Sequence, residues 1–151
     1  MKFPYRRALA SSPAGLTYIY RPLVPLLIIG PQGSDLLLAV ADTGSDDILL
    51  PRALLPHLGV TVDDSRAATL TSITGHQLMM SPGAVELELT DGVETCCWSA
   101  TVYFVSYPDP LYQTAIFGHS GGLAFFQATF AGAQKEPELV PSSFPGTVRR
   151  P

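Results

Sequence analysis

The triplet Asp42-Thr43-Gly44 is the part of this chain best suited to chemistry. It follows the apolar run 36–41 and precedes a second apolar run, Ile48-Leu49-Leu50. Burying a carboxylate between two strand-like hydrophobic segments is costly unless the group is paired or hydrogen-bonded. A threonine hydroxyl can bond the main chain, and glycine lets the main chain approach closely and turn. The triplet therefore indicates a functional carboxylate in a loop that hydrogen bonds hold in place. The simpler alternative is an aspartate in a turn that caps its own backbone.

The residues around the triplet form a longer pattern. Residues 41–51 read ADTGSDDILLP, the segment Ala115-Ile116-Phe117-Gly118 lies further along the chain, and Ile73-Thr74-Gly75-His76 lies between them. Over roughly residues 16 to 131, this arrangement resembles the retropepsins, the retroviral-type aspartic proteases. The resemblance implies an all-β fold, a closed or nearly closed acid-protease barrel with one or two short helices.

The resemblance also assigns roles to individual residues. Asp42, Thr43 and Gly44 would form the catalytic loop, with Thr43 bonded across a two-fold axis and the Gly44 carbonyl offered to substrate. A hydroxyl on Ser45, beside the carboxylate, would favour the ionised form of the catalytic group. The substrate-binding residues would be Ser45, Asp46 and Asp47 together with a hairpin flap at Thr74, Gly75 and His76, which closes over the substrate. A solvated turn is the alternative for the two acids, and an ordinary hairpin for the flap.

Aspartic proteolysis requires two carboxylates that share one proton. One acts as the base on the attacking water, and the other, protonated, polarises the scissile carbonyl. The chain has a single Asp-Thr-Gly and is half the length that two lobes would need. The second carboxylate must therefore come from a second copy, so the sequence predicts a homodimeric aspartic endopeptidase that acts on peptides or proteins and needs no cofactor.

The second signature departs from the family at one position. Gly118 fits it, but His119 follows where retroviral members usually carry an arginine that pairs with the first acid after the active-site loop. Because histidine is only partly charged near neutrality, a pairing of His119 with Asp46 should depend on pH. Gly121-Gly122 should also weaken the short helix expected next, since each glycine costs about 1 kcal/mol relative to alanine.

Two other functions compete with proteolysis. The segment Gly118-His119-Ser120-Gly121-Gly122 matches G-x-S-x-G, the nucleophile elbow of α/β-hydrolases, which would make Ser120 a nucleophile. That fold needs a histidine after the serine, and none follows His119. The stronger alternative is a catalytically silent retropepsin-like module that serves binding or assembly.

Composition limits the remaining possibilities. A net charge of -4 argues against nucleic acid or an anionic membrane as partner. The apolar stretch 22–30 is too short to span a bilayer, so we expect a soluble, cytoplasmic protein. The adjacent Cys96 and Cys97 should point to opposite faces of a strand rather than bridge. The three histidines have no metal-ligand spacing, so no metal site is expected.

The 14 prolines and 13 glycines favour many short strands in one domain. We expect an arm over residues 1–14, the protease domain over 15–131 and a flexible tail over 132–151, ordered only on binding. Residues 36–41 should form a strand buried on both faces, and 52–58 a short helix. Other strands are expected at 16–20, 23–30, 67–73, 77–81, 85–89, 95–106, 115–117 and 125–130.

Overall fold

The computed structural model describes residues 1–12, 15–71, 77–107 and 114–150. Most of this chain is β-structure. The strands are β1 (Arg6–Ser12), β2 (Gly15–Arg21), β3 (Leu23–Ile29), β4 (Ser34–Ala41), β5 (Leu49–Pro51), β6 (Ala68–Thr71), β7 (Gln77–Thr90), β8 (Thr95–Val105), β9 (Ala115–Phe117), β10 (Phe126–Ala131), β11 (Glu136–Pro141) and β12 (Thr147–Arg149). Short 3₁₀ turns occupy Arg52–Leu54, Asp64–Arg66 and Leu123–Phe125, and the helix α1 spans Leu55–Leu58.

Six of the strands close into a barrel in the order β8, β5, β9, β4, β3, β7 and back to β8. β6 extends the ring beside β7, and β12 extends it beside β8. Most neighbours are antiparallel, but β9 runs parallel to β4 and β5 runs parallel to β8. The prediction of a closed all-β barrel is therefore confirmed.

Alternating burial explains most of these strands. In β7, Val85, Leu87 and Leu89 lie in the core, and Glu86 and Glu88 between them point outwards. This is the period of two expected for a strand with one buried face. The predicted helix over residues 52–58 is present as a 3₁₀ turn followed by α1, and it ends at Gly59 with a φ of 66°.

β4 differs from its prediction as a strand buried on both faces. Ala39 and Ala41 are buried, but Leu36 is 62% exposed and Leu38 is 43% exposed. The apolar run predicts burial on both faces, yet the outer face of β4 is only partly covered, since Val40 is half-buried whereas Leu36 and Leu38 are exposed. The prediction was wrong for that face.

Both chain ends are more ordered than expected. In the arm, β1 pairs with β2, and Met1 and Phe3 are buried. In the tail, β11 pairs with β10, and β12 pairs with β8. Leu139 is fully buried, and the Phe144 ring packs on Trp98 at 5.4 Å between centroids. The flexible tail was a wrong prediction, because these few apolar residues find core partners despite the surrounding prolines.

No helix among the described residues has the length and hydrophobicity to cross a membrane.

Candidate active site

Asp42 lies in the tight loop that follows β4. Its N–H donates to Phe117 O at 3.1 Å, its carbonyl accepts from Ser45 N–H at 3.3 Å, and its Oδ1 accepts from Gly44 N–H at 2.9 Å. The side chain is half-buried rather than buried. A turn aspartate would make the same bond to Gly44, so this contact is common to the catalytic and the simple turn interpretations.

The second signature lies directly beside this loop. β9 fits between β4 and β5, with Ala41 paired to Phe117 and Leu49 paired to Ile116. Two segments that are about 70 residues apart in the sequence therefore form adjacent strands at the site. Phe117 is fully buried, which fixes the end of β9 against the core.

The loop is clamped to the segment after β9 by main-chain bonds. Besides the bond from Asp42 to Phe117 O, His119 N–H donates to Ser45 O at 2.9 Å, and Ser120 N–H donates to Asp46 O at 2.6 Å. These bonds occupy the backbone groups of the loop on one side and leave the Asp42 side chain outside the clamp. Gly118 and His119, which were expected near the site, lie against this loop through their main chains.

The expected ion pair between His119 and Asp46 is not present. Both side chains are exposed, and neither makes an ion pair or side-chain hydrogen bond within the described residues. The two segments are instead joined through their main chains, by the bonds from His119 N–H to Ser45 O and from Ser120 N–H to Asp46 O. The expected helix is reduced to the 3₁₀ turn Leu123–Phe125, and Gly121 before it has a φ of 70°.

Ser45 also differs from its expected role. Its hydroxyl donates to Asp47 O at 3.0 Å, so it braces the loop instead of bonding the Asp42 carboxylate. Asp46 is exposed and Asp47 is half-buried. Burial, followed by the charge of Asp46, raises the pKa of Asp47. Thr43 and Gly44 are exposed at the tip of the loop, where a second molecule could reach them.

The two strands that flank the predicted flap are present and paired. β6 pairs with β7 from Ala68 opposite Met80 to Thr71 opposite Gln77. The predicted substrate contacts Thr74, Gly75 and His76 lie outside the described residues. The pairing of the two arms therefore supports a hairpin at this place in the chain, and the role of its tip stays a prediction.

A polar network at the base of this hairpin was missed from the sequence. The Arg52 guanidinium donates to both carboxylate oxygens of Asp64 at 3.1 Å and to Ser81 Oγ at 3.0 Å. The Ser81 hydroxyl donates to Asp64 Oδ1 at 2.6 Å, and Ser81 is almost fully buried. The three residues come from separate segments, so no local pattern could have indicated the network.

The nucleophile-elbow alternative gains no support from Ser120. This residue is exposed and forms an isolated bridge with Asp47, and no described histidine hydrogen-bonds its hydroxyl. His57, the other described histidine, contacts Ser34 O at 3.0 Å. In the described part of the chain, histidine, cysteine and acidic side chains do not gather in groups of three that could hold a metal ion.

The two cysteines are free thiols on β8. Cys96 is fully buried, and burial raises its pKa to about 11. The Cys97 thiol is half-buried and donates to Glu88 Oε2 at 3.4 Å. Raised thiol pKa values make both residues poor nucleophiles.

Comparisons with protein-family models and with curated protein sequences found no match to this chain.

Proposed function

We propose that this chain is one subunit of a homodimeric, retropepsin-like aspartic endopeptidase. The observation that carries the proposal is the setting of Asp42. Its loop is clamped by main-chain bonds between the ends of β4 and β9, and its carboxylate keeps one oxygen bound to Gly44 N–H. A rigid loop of this kind fixes the position of a reacting group, and the half-buried side chain remains within reach of substrate and a partner subunit.

The reaction requires Asp42 from each of two subunits. Two carboxylates placed about 3 Å apart share one proton, because like charges at that separation do not both ionise. The ionised member takes a proton from the attacking water, and the protonated member donates to the peptide carbonyl. The water oxygen bonds to the carbonyl carbon and gives a tetrahedral intermediate. Its collapse breaks the C–N bond as the leaving nitrogen takes the proton that the ionised aspartate removed from the water, and a hydroxyl proton of the intermediate returns to the other aspartate.

The surrounding groups have supporting roles in the proposal. The exposed Gly44 carbonyl and the side chains of Asp46 and Asp47 lie on the same loop as Asp42, where an extended peptide could bond to them. The β6–β7 hairpin would cover the bound peptide and exclude water. Exclusion of water strengthens the electrostatic interactions in the cleft.

The proposal is tested with purified protein and a mixed peptide library. Asp42→Asn should abolish cleavage and leave the fold intact, because it removes the carboxylate and keeps its shape. Asp35→Asn is the matched control, since Asp35 is half-buried near the start of β4, the strand that leads into the loop, and lies away from the loop. Undiminished cleavage by a well-folded Asp42→Asn protein would overturn the proposal.

Ser120→Ala separates the protease from the serine-hydrolase alternative. The substitution should leave cleavage unchanged, whereas a loss of activity in folded protein would favour Ser120 as the nucleophile. The silent-module alternative has one observation in its favour, namely that the Asp42–Gly44 bond is also an ordinary turn contact. A wild-type protein that dimerises but cleaves no peptide in the library would favour that alternative.

A further inference from the structure

A hairpin of β1 and β2 carries apolar side chains on an uncovered face. Leu16 is 71% exposed, and Tyr18 and Tyr20 on the same face are also exposed. We call these three residues the hairpin patch. β1 and β2 pair only with each other among the described strands. An isolated two-stranded hairpin is only marginally stable in water. A hairpin with an exposed apolar face is therefore stabilised when another surface covers that face.

A second uncovered apolar surface lies on the outside of the barrel. It consists of Ile29, Leu36 and Leu38, which we call the barrel patch. The register places Leu36 opposite Leu27 and Leu38 opposite Pro25, so the patch continues across both β3 and β4.

The hairpin patch begins beside the candidate catalytic loop, and the barrel patch lies further along β3 and β4. Pro22, which joins β2 to β3, accepts a hydrogen bond from Ala41 N–H at 2.9 Å, and Ala41 directly precedes Asp42. The hairpin therefore leaves the barrel at the same rim as Asp42, and its seven-residue strands extend about 23 Å. Leu38 and Leu36 lie four and six residues before Asp42, and Ile29 pairs with Ser34 at the far end of β4. The hairpin of a partner that meets this chain at Asp42 would therefore be long enough to reach Leu38 and Leu36 on the barrel patch.

The hairpin patch is accompanied by positive charge. The Arg7 guanidinium lies 3.7 Å from the centre of the Tyr18 ring, and Lys135 Nζ lies 3.6 Å from the centre of the Tyr20 ring. Neither cation makes an ion pair within the described residues. Their charges are thus available to a partner surface.

The barrel patch is accompanied by negative charge. Glu86 pairs in register with Ile29, and Glu88 pairs with Leu27, so both carboxylates lie on the outer face beside the patch. Their hydrogen bonds come from the uncharged Ser99 hydroxyl and Cys97 thiol, and no cation in the described chain pairs with them. The two patches are therefore complementary in charge as well as apolar, a combination that favours binding to each other.

The surface area that a stable dimer must bury also favours contact between the hairpin patch and the barrel patch. The loop tip at Thr43, Gly44 and Asp46 has no large apolar side chain, whereas a stable interface buries about 800 Å² on each partner. A buried Leu or aromatic side chain contributes about 60 to 120 Å² of apolar surface. The six residues of the two patches therefore supply about 360 to 720 Å² on each partner, roughly half of that requirement or more.

We propose that each hairpin patch docks on the barrel patch of a second copy of this chain, so that two reciprocal contacts hold the dimer. This inference rests on the proposed function, because the shared Asp42 dyad is what requires a second copy at this rim. The dimer would then hold its two catalytic loops together through contacts that lie outside the loops themselves.

Sedimentation of two double variants tests the contact without any measurement of cleavage. Leu16→Ser/Tyr18→Ser replaces two of the three residues of the hairpin patch, and Leu36→Ser/Leu38→Ser replaces two of the three residues of the barrel patch. Each should raise the dimer dissociation constant about a hundred-fold or more, since both reciprocal contacts are lost. Val93→Ser is the matched control, because Val93 is 68% exposed in the turn between β7 and β8. Near-ultraviolet circular dichroism of buried Trp98 verifies the fold of each variant.

Mixing the two variants gives the decisive result. A mixed dimer keeps one intact contact, the hairpin of one chain on the barrel of the other, whereas either variant alone keeps none. Equal amounts of the two should therefore form dimers more tightly than either variant by itself. Unchanged dimerisation of both variants, or a mixture no tighter than its components, would overturn the inference.

The same samples separate this inference from the proposed function. If the mixture of the two variants forms dimers again and the wild type cleaves no peptide, the result would support the contact and count against the protease. If both double variants dimerise as tightly as the wild type and cleave peptides, the result would support the protease and count against the contact. A wild type that stays monomeric and binds phosphatidylserine vesicles through Leu16 and Tyr18 would also overturn the inference, since the hairpin patch would then serve a membrane.

Discussion

Gly118 lies directly against the main chain of Asp47. A Cβ atom at position 118 would stand 2.1 Å from Asp47 O and 2.8 Å from Ser45 O. No real side chain fits at such distances, and the obstacles are backbone atoms that cannot rotate away. The close contact is what lets His119 N–H reach Ser45 O and complete the clamp on the Asp42 loop.

Gly118→Ala should destabilise the protein by about 3 kcal/mol or more, because the loop or β9 must shift to admit the methyl group. Any cleavage activity should fall with it, since Asp42 would move. Chemical denaturation measures the first effect, and peptide cleavage the second. Gly132→Ala is the control, because a Cβ there meets nothing within 4 Å and should change stability by less than about 0.5 kcal/mol. Equal effects of the two substitutions would contradict the close-packed clamp.

The strands that the sequence predicted well are those in which apolar and polar residues alternate within one short segment. Val85, Leu87 and Leu89 alternate with acids, so their burial follows from the period of two alone. The Asp42 loop was also recognisable, because its residue types and flanking apolar runs lie in one short segment. Its support by Gly118 was expected from the resemblance, although the contact is made by backbone and not by the expected side-chain pair.

The features that the sequence missed depend on what distant segments cover. An apolar run cannot reveal whether its outer face has a partner, and so Leu36 and Leu38 were expected to be buried. The prolines around Leu139 predict a flexible tail, yet this residue is fully buried. The bond of Ser81 to Asp64 joins segments brought together only by the completed barrel.

Phe144 provides a test of the ordered tail. Its ring lies 5.4 Å from Trp98 and 5.5 Å from Phe126, measured between centroids. Phe144→Ala should therefore cost about 2 to 4 kcal/mol in the free energy of unfolding, whereas a free tail would show no change. Thermal and urea denaturation followed by Trp98 fluorescence measure it. Val140→Ala, at a side chain on β11 that is 45% exposed and opposite exposed Gln127, is the control and should have a small effect.

The side chain of His119 should contribute little to stability or to dimerisation. Only its main chain contacts the Asp42 loop, so His119→Ala should change the free energy of unfolding by less than about 0.5 kcal/mol. Dimer dissociation followed against pH should give superimposable curves for the wild type and His119→Arg. Tighter dimerisation of the arginine variant at alkaline pH would show instead that this position pairs with a carboxylate once two chains meet.

The last prediction concerns acid stability and the network at the base of the β6–β7 hairpin. A hydrogen bond from Ser81, followed by bonds from Arg52, lowers the pKa of Asp64 from its usual 3.8. A carboxylate with a lower pKa in the folded state stabilises the fold above the unfolded pKa, and this contribution is lost as the pH falls through the folded pKa. Ser81→Ala removes the largest cause, so it should destabilise the protein near neutrality.

The difference between wild type and Ser81→Ala should shrink as the pH falls from about 5 towards 2, because protonated Asp64 no longer gains from the lost bond. Urea denaturation across this range measures it. Ser106→Ala, at an exposed serine near the end of β8, should show no such pH dependence. In an Asp64→Asn background the substitution should lose its pH dependence altogether, since the titrating group is gone. A Ser81→Ala effect that stays constant down to the lowest pH in both backgrounds would mean that the cost comes from packing, and that the Ser81 hydroxyl does not hold Asp64 ionised.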